Sequence, residues 1–183
     1  MMFAIAALVF ALSASVQDTI RHPIVIVVRH AEKASQTDRD PALSEAGVIR
    51  AAALDSVLQH ARVAAVIVTP FRRTIETAAP VATRYLLTPI VIPVEGGVAA
   101  HAYAVAQAAR RFDGVVLVVG HSNTVLPIVR ALGGPTLPDL CDSSYAQIFT
   151  VTVAADRSGR MIRSGYGAPD PAGPTLCPEL PRQ

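Results

Sequence analysis

The sequence predicts a three-layer α/β/α sandwich with a mostly parallel sheet. Three observations carry this prediction: continuous apolar runs rich in β-branched residues, helix-length segments between them, and Gly or polar residues at the junctions. An apolar run without polar alternation is typical of a strand that is buried on both faces. Strands that alternate with helices are expected to pair in parallel, because each helix carries the chain back across the sheet.

The expected elements follow one another in chain order. Buried strands are predicted at residues 23–28, 63–68, 89–94 and 115–119. Helices are predicted at residues 43–60, 71–86, 98–111 and 122–132. The stretch 145–153 alternates apolar and polar residues, and with a turn at 156–159 and a strand at 160–166 it predicts an antiparallel sheet edge.

Local signals mark several helix ends. Ser44 is a good N-cap for the first helix, since its hydroxyl can accept a hydrogen bond from a free backbone N–H. Pro80 falls inside the second helix and predicts a kink or a split there. Ser122 is expected to open the fourth helix, and Gly133 with Gly134 to end it.

The 183 residues suit one domain. We assign residues 1–15 to a signal peptide, 16–166 to the domain and 167–183 to a Pro- and Gly-rich tail. Residues 1–12 are all apolar, too few for a stable membrane span, and small residues follow them as at a signal cleavage site. This indicates export to the periplasm or secretion. No Lys or Arg precedes the apolar run, which leaves a cytoplasmic, buried segment as the alternative.

The remaining composition excludes some classes of function. The net charge is only +2 and no run of Lys or Arg occurs, so no nucleic-acid partner is expected. Cys141 and Cys177 could form one disulfide in an exported chain, or they could be two unrelated thiols. Neither the cysteines nor the scattered histidines show the spacing of metal ligands.

Chemistry-bearing side chains follow three of the buried strands. Arg29 and His30 come directly after the first strand, Arg73 closely follows the second, and His121 comes after the fourth. Ligands of open α/β sheets bind at the carboxyl ends of the strands, so these groups are expected to meet at one edge. Arg side chains bind multi-oxygen anions through paired hydrogen bonds, and a neutral imidazole is a good nucleophile. The sequence therefore predicts an anion site that contains imidazoles.

Four segments carry a resemblance to a known family. They are RHAEK at Arg29–Lys33, LSEAG at Leu43–Gly47, TPFRRTIETA at Thr69–Ala78 and GHS at Gly120–Ser122. In this order and at this spacing they resemble the motifs of the histidine phosphatase superfamily, which is also called phosphoglycerate mutase-like. The resemblance implies the fold of that family and a phosphatase that acts on a small phosphorylated substrate.

The resemblance also implies roles for individual residues. His30 would be the nucleophile that takes up the phosphoryl group, while Arg29, Arg73 and His121 would form the phosphate pocket. The third motif aligns Arg73, rather than its neighbour Arg72, with the phosphate-binding arginine. No metal ion or organic cofactor would be required. Phosphomonoesters or phosphoramidates would be hydrolysed through a phosphohistidine intermediate.

Further residues complete the predicted site. The resemblance implies that a carboxylate after the third strand protonates the leaving group, which makes Glu95 the candidate acid, with Glu32 and Asp142 as lesser candidates. Ser122 and Asn123 follow the second histidine and are expected to bind the phosphate or orient that histidine; for Ser122, capping of the helix is the alternative.

Two other functions stay open at this point. A member of the same superfamily can keep its arginines as a non-catalytic binder of a phosphorylated ligand. A mutase-like phosphotransferase is the other alternative, although the short chain has little room for the segments with which mutases enclose their substrate. The small single-domain phosphatases of the superfamily are closest in size.

Overall fold

The computed structural model of the protein describes residues 22–154, 156 and 158–177. The signal peptide predicted for residues 1–15 lies outside the described residues. The strands are β1 (Ile24–Arg29), β2 (Val63–Val68), β3 (Ile90–Val91), β4 (Val115–Gly120), β5 (Gln147–Val153) and β6 (Gly159–Gly165). The helices are α1 (Glu45–Leu58), α2 (Arg72–Arg84), α3 (Val98–Ala109) and α4 (Val125–Ala131).

One six-stranded sheet organises the domain, and it has the order β3-β2-β4-β1-β5-β6. The first four of these strands run parallel to one another, whereas β5 and β6 are antiparallel. This confirms the predicted α/β fold with a mostly parallel sheet, and it confirms the antiparallel edge. It also places β2, β4 and β1 side by side at the centre, with their carboxyl ends together.

Two apolar clusters, one on each face of the sheet, make the three layers. On one face Val25 and Val27 of β1 pack in a cluster with the inner side chains of α3 and α4, such as Val105 and Leu126. On the other face the alternate β1 residues join a cluster with the inner side chains of α1 and α2. Because every central strand is covered on both faces, it is apolar at consecutive positions. None of the helices in the described part of the chain combines the length and apolar character needed to cross a membrane.

Three elements differ from the sequence prediction. Strand β3 is confined to Ile90–Val91 because Pro89 and Pro93 bracket it, and proline has no N–H to donate to a sheet. Helix α2 runs unbroken through Pro80, so the split that the proline suggested does not occur. The missing N–H is tolerated because the helix packs along α1. Helix α4 begins at Val125 rather than at Ser122.

The start of α1 is held close to the chain that follows β1. Ser44 caps the helix as predicted, with its Oγ accepting from the backbone N–H of Gly47 at 3.1 Å. A Cβ atom built on Gly47 would lie 2.2 Å from the carbonyl oxygen of Glu32. Only glycine permits this close approach, so Gly47 brings α1 against the segment that carries the residues after β1.

The described part of the tail, residues 167–177, packs on the domain. The Asp170 carboxylate accepts hydrogen bonds from the backbone N–H groups of Tyr145 and Ala146, at 2.7 and 2.9 Å. Cys141 and Cys177 form a disulfide, which decides the question that the sequence left open. The tail therefore braces the loop that precedes β5, and this loop reaches the carboxyl end of β1.

Candidate active site

The carboxyl ends of β1, β2 and β4 bring the predicted groups together. Arg29 ends β1 and His30 follows it, Thr69 follows β2, and His121 follows β4. The rings of His30 and His121 lie edge to face, with centroids 5.3 Å apart. Both rings are buried, because the loops after the strands close around them. Because β1, β2 and β4 are adjacent and parallel, the imidazoles of His30 and His121 lie next to each other at their carboxyl ends.

The protonation state of His30 follows from its contacts. Its Nδ1 lies 2.8 Å from the carbonyl oxygen of Ala31. A carbonyl can only accept, so Nδ1 carries the proton and Nε2 keeps a lone pair. Burial, aided by the charge of Arg29, lowers the pKa of His30 to about 3. His30 is therefore neutral at ordinary pH and has the lone pair that a nucleophile needs.

His121 is held at both ring nitrogens. Its Nε2 lies 3.0 Å from the hydroxyl of Thr69, and its Nδ1 lies 3.5 Å from an Nη atom of Arg73. Burial and the charge of Arg73 lower the pKa of His121 to about 3. The edge of the Phe71 ring packs beside the imidazole, with centroids 5.4 Å apart. The ring is thus fixed in orientation and is neutral before any anion binds.

Arg29 is a buried cation with a preset orientation. Its Nη1 donates to the carbonyl oxygens of Cys141 and Asp142, each at 2.9 Å, and its guanidinium stacks 4.2 Å from the centre of the Tyr145 ring. Its Nε is buried and has no hydrogen-bond partner among the described residues. An unpaired buried donor on a cation is costly, because the N–H group has lost water without gaining an acceptor.

Arg73 supplies the second guanidinium from the first turn of α2. Its guanidinium carbon lies 4.4 Å from the centre of the Phe71 ring, and its Nη1 lies 3.8 Å from a carboxylate oxygen of Asp40. The same Asp40 oxygen accepts a hydrogen bond from the backbone N–H of Arg72 at 2.8 Å. Asp40 therefore holds the first turn of α2 from another loop and places a negative charge beside the Arg73 guanidinium.

Two arginines and two neutral imidazoles form an arrangement that suits a tetrahedral oxyanion. The guanidinium groups provide charge and donors, and His30 provides a nucleophilic nitrogen. In the described residues no cluster of three or more His, Cys, Asp or Glu side chains could hold a metal ion. The family model described as "Histidine phosphatase superfamily (branch 1)" matches residues 25–93, a segment that includes Arg29, His30 and Arg73.

Over this segment the chain is similar to the histidine phosphatase superfamily. A comparison with curated proteins finds no match. Among solved structures it is similar to the protein histidine phosphatase SixA in complex with tungstate, at 22% identity and a TM-score of 0.61 over 78% of this chain and 96% of that one. A mycobacterial glucosyl-3-phosphoglycerate phosphatase matches at 17% identity and a TM-score of 0.61, over 81% of this chain and 100% of that one. At these identities the solved structures establish the fold.

The three carboxylates that the sequence predicts as candidate proton donors differ in their surroundings. Glu32 forms an ion pair with the buried Arg50 at 2.7 Å, which holds its charge away from the rings. Asp142 is almost fully exposed and accepts from Arg29 at 3.3 Å. Glu95 lies exposed between β3 and α3, at the same edge of the sheet as the histidines. In the described residues no hydrogen bond or ion pair joins Glu95 to the two histidines.

Ser122 and Asn123 lie in the turn between β4 and α4. The Ser122 hydroxyl is 3.3 Å from a carboxylate oxygen of Asp142, and Asn123 is exposed. The expectation that Ser122 caps the helix is wrong, because Thr124 is the N-cap residue. The Thr124 hydroxyl accepts from the backbone N–H of His121 at 2.8 Å, and this contact closes the turn before the helix begins.

Sequence reasoning missed two groups at this candidate site. Thr69 follows directly after β2, so its place at the strand end was a usable signal for a contact with the histidines. Asp40 offered no such signal, because its position depends on a loop that folds across to α2. A contact between residues so far apart in the chain has no local pattern.

Proposed function

We propose that this protein is a phosphatase that hydrolyses phosphomonoesters or phosphoramidates without a metal ion, through a phosphohistidine intermediate on His30. One observation carries the proposal: the bond from Nδ1 of His30 to the Ala31 carbonyl leaves Nε2 as a lone-pair donor beside Arg29 and Arg73. Similarity in fold to a protein histidine phosphatase and to a glucosyl-3-phosphoglycerate phosphatase supports the activity. Retention of both imidazoles favours turnover over simple binding of a phosphorylated ligand.

The first step forms the bond between His30 Nε2 and phosphorus while the bond from phosphorus to the leaving group breaks. The leaving group takes the electron pair of that bond and receives a proton. Negative charge on the three equatorial oxygens must be met by fixed donors, and Arg73 and the free Nε–H of Arg29 are suitably charged for this. Because Arg29 is already held by carbonyl groups, it need not reorganise during the step.

The second step returns the enzyme to its starting state. A water molecule attacks phosphorus and gives one proton to the carboxylate that donated a proton in the first step. The bond from phosphorus to Nε2 breaks, its electron pair returns to Nε2, and inorganic phosphate leaves. The hydrogen bond from Nδ1 to the Ala31 carbonyl stabilises the positive imidazole that is the leaving group here. We assign the proton donor of the first step to Glu95, which is exposed at the sheet edge that also carries the two histidines.

The test is hydrolysis of p-nitrophenyl phosphate in EDTA by the wild type and by His30→Asn. We expect activity to survive EDTA and to disappear in the variant, with an alkali-stable, acid-labile phosphoenzyme trapped only in the wild type. His60→Asn is the matched control, because His60 is exposed. A folded wild type that binds tungstate without any turnover would instead establish the non-catalytic binder.

We also propose that the protein is exported to the periplasm or secreted. The apolar segment at residues 1–12 and the disulfide between Cys141 and Cys177 support this, since disulfides persist in oxidising compartments. Expression of the full chain followed by fractionation and mass determination tests it. We expect an extracytoplasmic protein that starts near residue 16, and an uncleaved cytoplasmic chain would overturn the proposal.

A further inference from the structure

Two buried threonines lie behind His121, on the side away from Arg73. Thr69 and Thr74 are 1% and 0% exposed. The Thr69 hydroxyl lies 3.0 Å from Nε2 of His121 and 2.9 Å from the Thr74 hydroxyl. The Thr74 hydroxyl in turn lies 2.9 Å from the Thr69 carbonyl and 2.8 Å from the Phe71 carbonyl. The contacts form a chain from the imidazole to the backbone.

The two carbonyl groups at the end away from His121 set the direction of these hydrogen bonds. A carbonyl oxygen can only accept, so the single proton of the Thr74 hydroxyl is donated there. Thr74 therefore accepts from the Thr69 hydroxyl, which uses the single proton of Thr69. Thr69 can then offer only a lone pair to His121, and Nε2 of the imidazole must carry a proton. The contact at Nδ1 of His121 supports the same assignment, because this nitrogen faces a guanidinium N–H group of Arg73, which can only donate.

We propose that Thr69 and Thr74 are positioning residues that fix His121 as the tautomer protonated at Nε2, so that Nδ1 is the atom turned towards the bound phosphoryl group. Nε2 already holds a proton, so any proton that His121 gains on anion binding goes to Nδ1. There it can donate to a phosphoryl oxygen. This inference rests on the proposed function only for its catalytic consequence, whereas the tautomer is a property of the free protein.

The test compares Thr69→Val, which keeps the shape of the side chain without its hydroxyl, with Thr69→Ser, which keeps the hydroxyl. Two-bond ¹H–¹⁵N correlations of the labelled imidazoles report the tautomer of His121 directly, with the signal assigned through His121→Asn. We expect the pattern of a proton on Nε2 in the wild type and in Thr69→Ser, and its loss in Thr69→Val. Thr74→Val is a second variant that breaks the same chain one link further away.

The catalytic readout follows from the same variants. We expect kcat with p-nitrophenyl phosphate to fall about tenfold in Thr69→Val, as for other contacts that orient a functional histidine, and to return in Thr69→Ser. A wild-type His121 protonated at Nδ1, or an unchanged tautomer in Thr69→Val, would overturn the proposal. A protein without turnover but with the expected tautomers would contradict the proposed function and leave this inference standing.

Discussion

His30 and His121 lie edge to face at a centroid distance of 5.3 Å, and both are buried beside Arg29 and Arg73. Burial is the main cause that lowers the pKa of each ring to about 3, and the guanidinium charges add to it. Two imidazoles that stay neutral in acid affect stability as well as reactivity, because the histidines of the unfolded chain have the usual pKa and take up protons.

Acid is expected to destabilise the fold through these two rings. An unfolded histidine has a pKa of about 6.5, so below that pH the unfolded chain binds protons that folded His30 and His121 do not. The free energy of unfolding should therefore fall as the pH drops from about 6.5 towards 3, by about 1.4 kcal/mol per pH unit for each ring. Urea unfolding at pH 7, 6, 5 and 4 measures this.

Two variants separate the histidines from other titrating groups. His121→Gln should show a shallower loss of stability between pH 6 and pH 4, whereas His60→Gln should keep the wild-type slope because His60 is exposed. Equal slopes in all three proteins would show that the buried imidazoles do not cause the pH dependence.

Asp40 is expected to weaken anion binding. Its carboxylate lies 3.8 Å from Arg73 and repels any oxyanion that approaches the same guanidinium. Asp40→Asn keeps an oxygen that can accept from the Arg72 N–H, and it removes the charge. We expect tungstate to bind about two- to fivefold more tightly, a modest gain because Asp40 is partly exposed.

Calorimetry of tungstate binding measures this change. Asp38→Asn is the matched control, since it removes a charge from an exposed position of the same loop. Weaker binding by Asp40→Asn would mean that the carboxylate holds Arg73 in place rather than competing with the anion.

The contribution of Glu95 to the hydrolysis rate is expected to be larger when the leaving group needs more help from an acid. Glu95→Gln should slow hydrolysis of an alkyl phosphate by at least about tenfold and leave p-nitrophenyl phosphate nearly unchanged, because an activated leaving group needs little acid help. The segment before it is anchored by His101, whose Nδ1 lies 3.0 Å from the Pro93 carbonyl. Steady-state rates with the two substrates give the ratio.

Asp142→Asn is the comparison for that experiment, since Asp142 contacts Arg29 and Ser122. If Asp142→Asn shows the dependence on leaving group and Glu95→Gln does not, the proton donor belongs to the loop before β5.

The disulfide is expected to support both the fold and the site. Reduction of the bridge between Cys141 and Cys177, which are 36 residues apart, should lower the free energy of unfolding by about 3 kcal/mol. The Cys141 carbonyl also holds Arg29, so tungstate should bind less tightly after reduction. Urea unfolding and calorimetry with and without dithiothreitol test the two effects, and the Cys141→Ser, Cys177→Ser double variant should match the reduced protein. Unchanged values in both assays would contradict this role.

Several parts of the site could be predicted because their signals are local. Buried parallel strands are continuously apolar, so the bounds of β2 were predicted to the residue. Residues that follow parallel strands lie at one edge of the sheet. The sequence therefore predicts that Arg29, His30 and His121 lie close together. The start of α4 differs from the prediction because Ser122 lies in a turn that the Thr124 hydroxyl closes on the backbone N–H of His121, so the helix begins three residues later.

The sequence by itself determined the layered α/β architecture, the order of the motifs and the imidazole pair, because strand burial and strand ends leave periodic, local patterns. Only the tertiary structure decided the tautomer of each ring, the capping of α2 by Asp40 and the bracing of Arg29 by the disulfide loop. Those features depend on single hydrogen bonds between residues far apart in the chain. These hydrogen bonds contribute to the structure, but neither the composition nor the spacing of residues in the sequence predicts them.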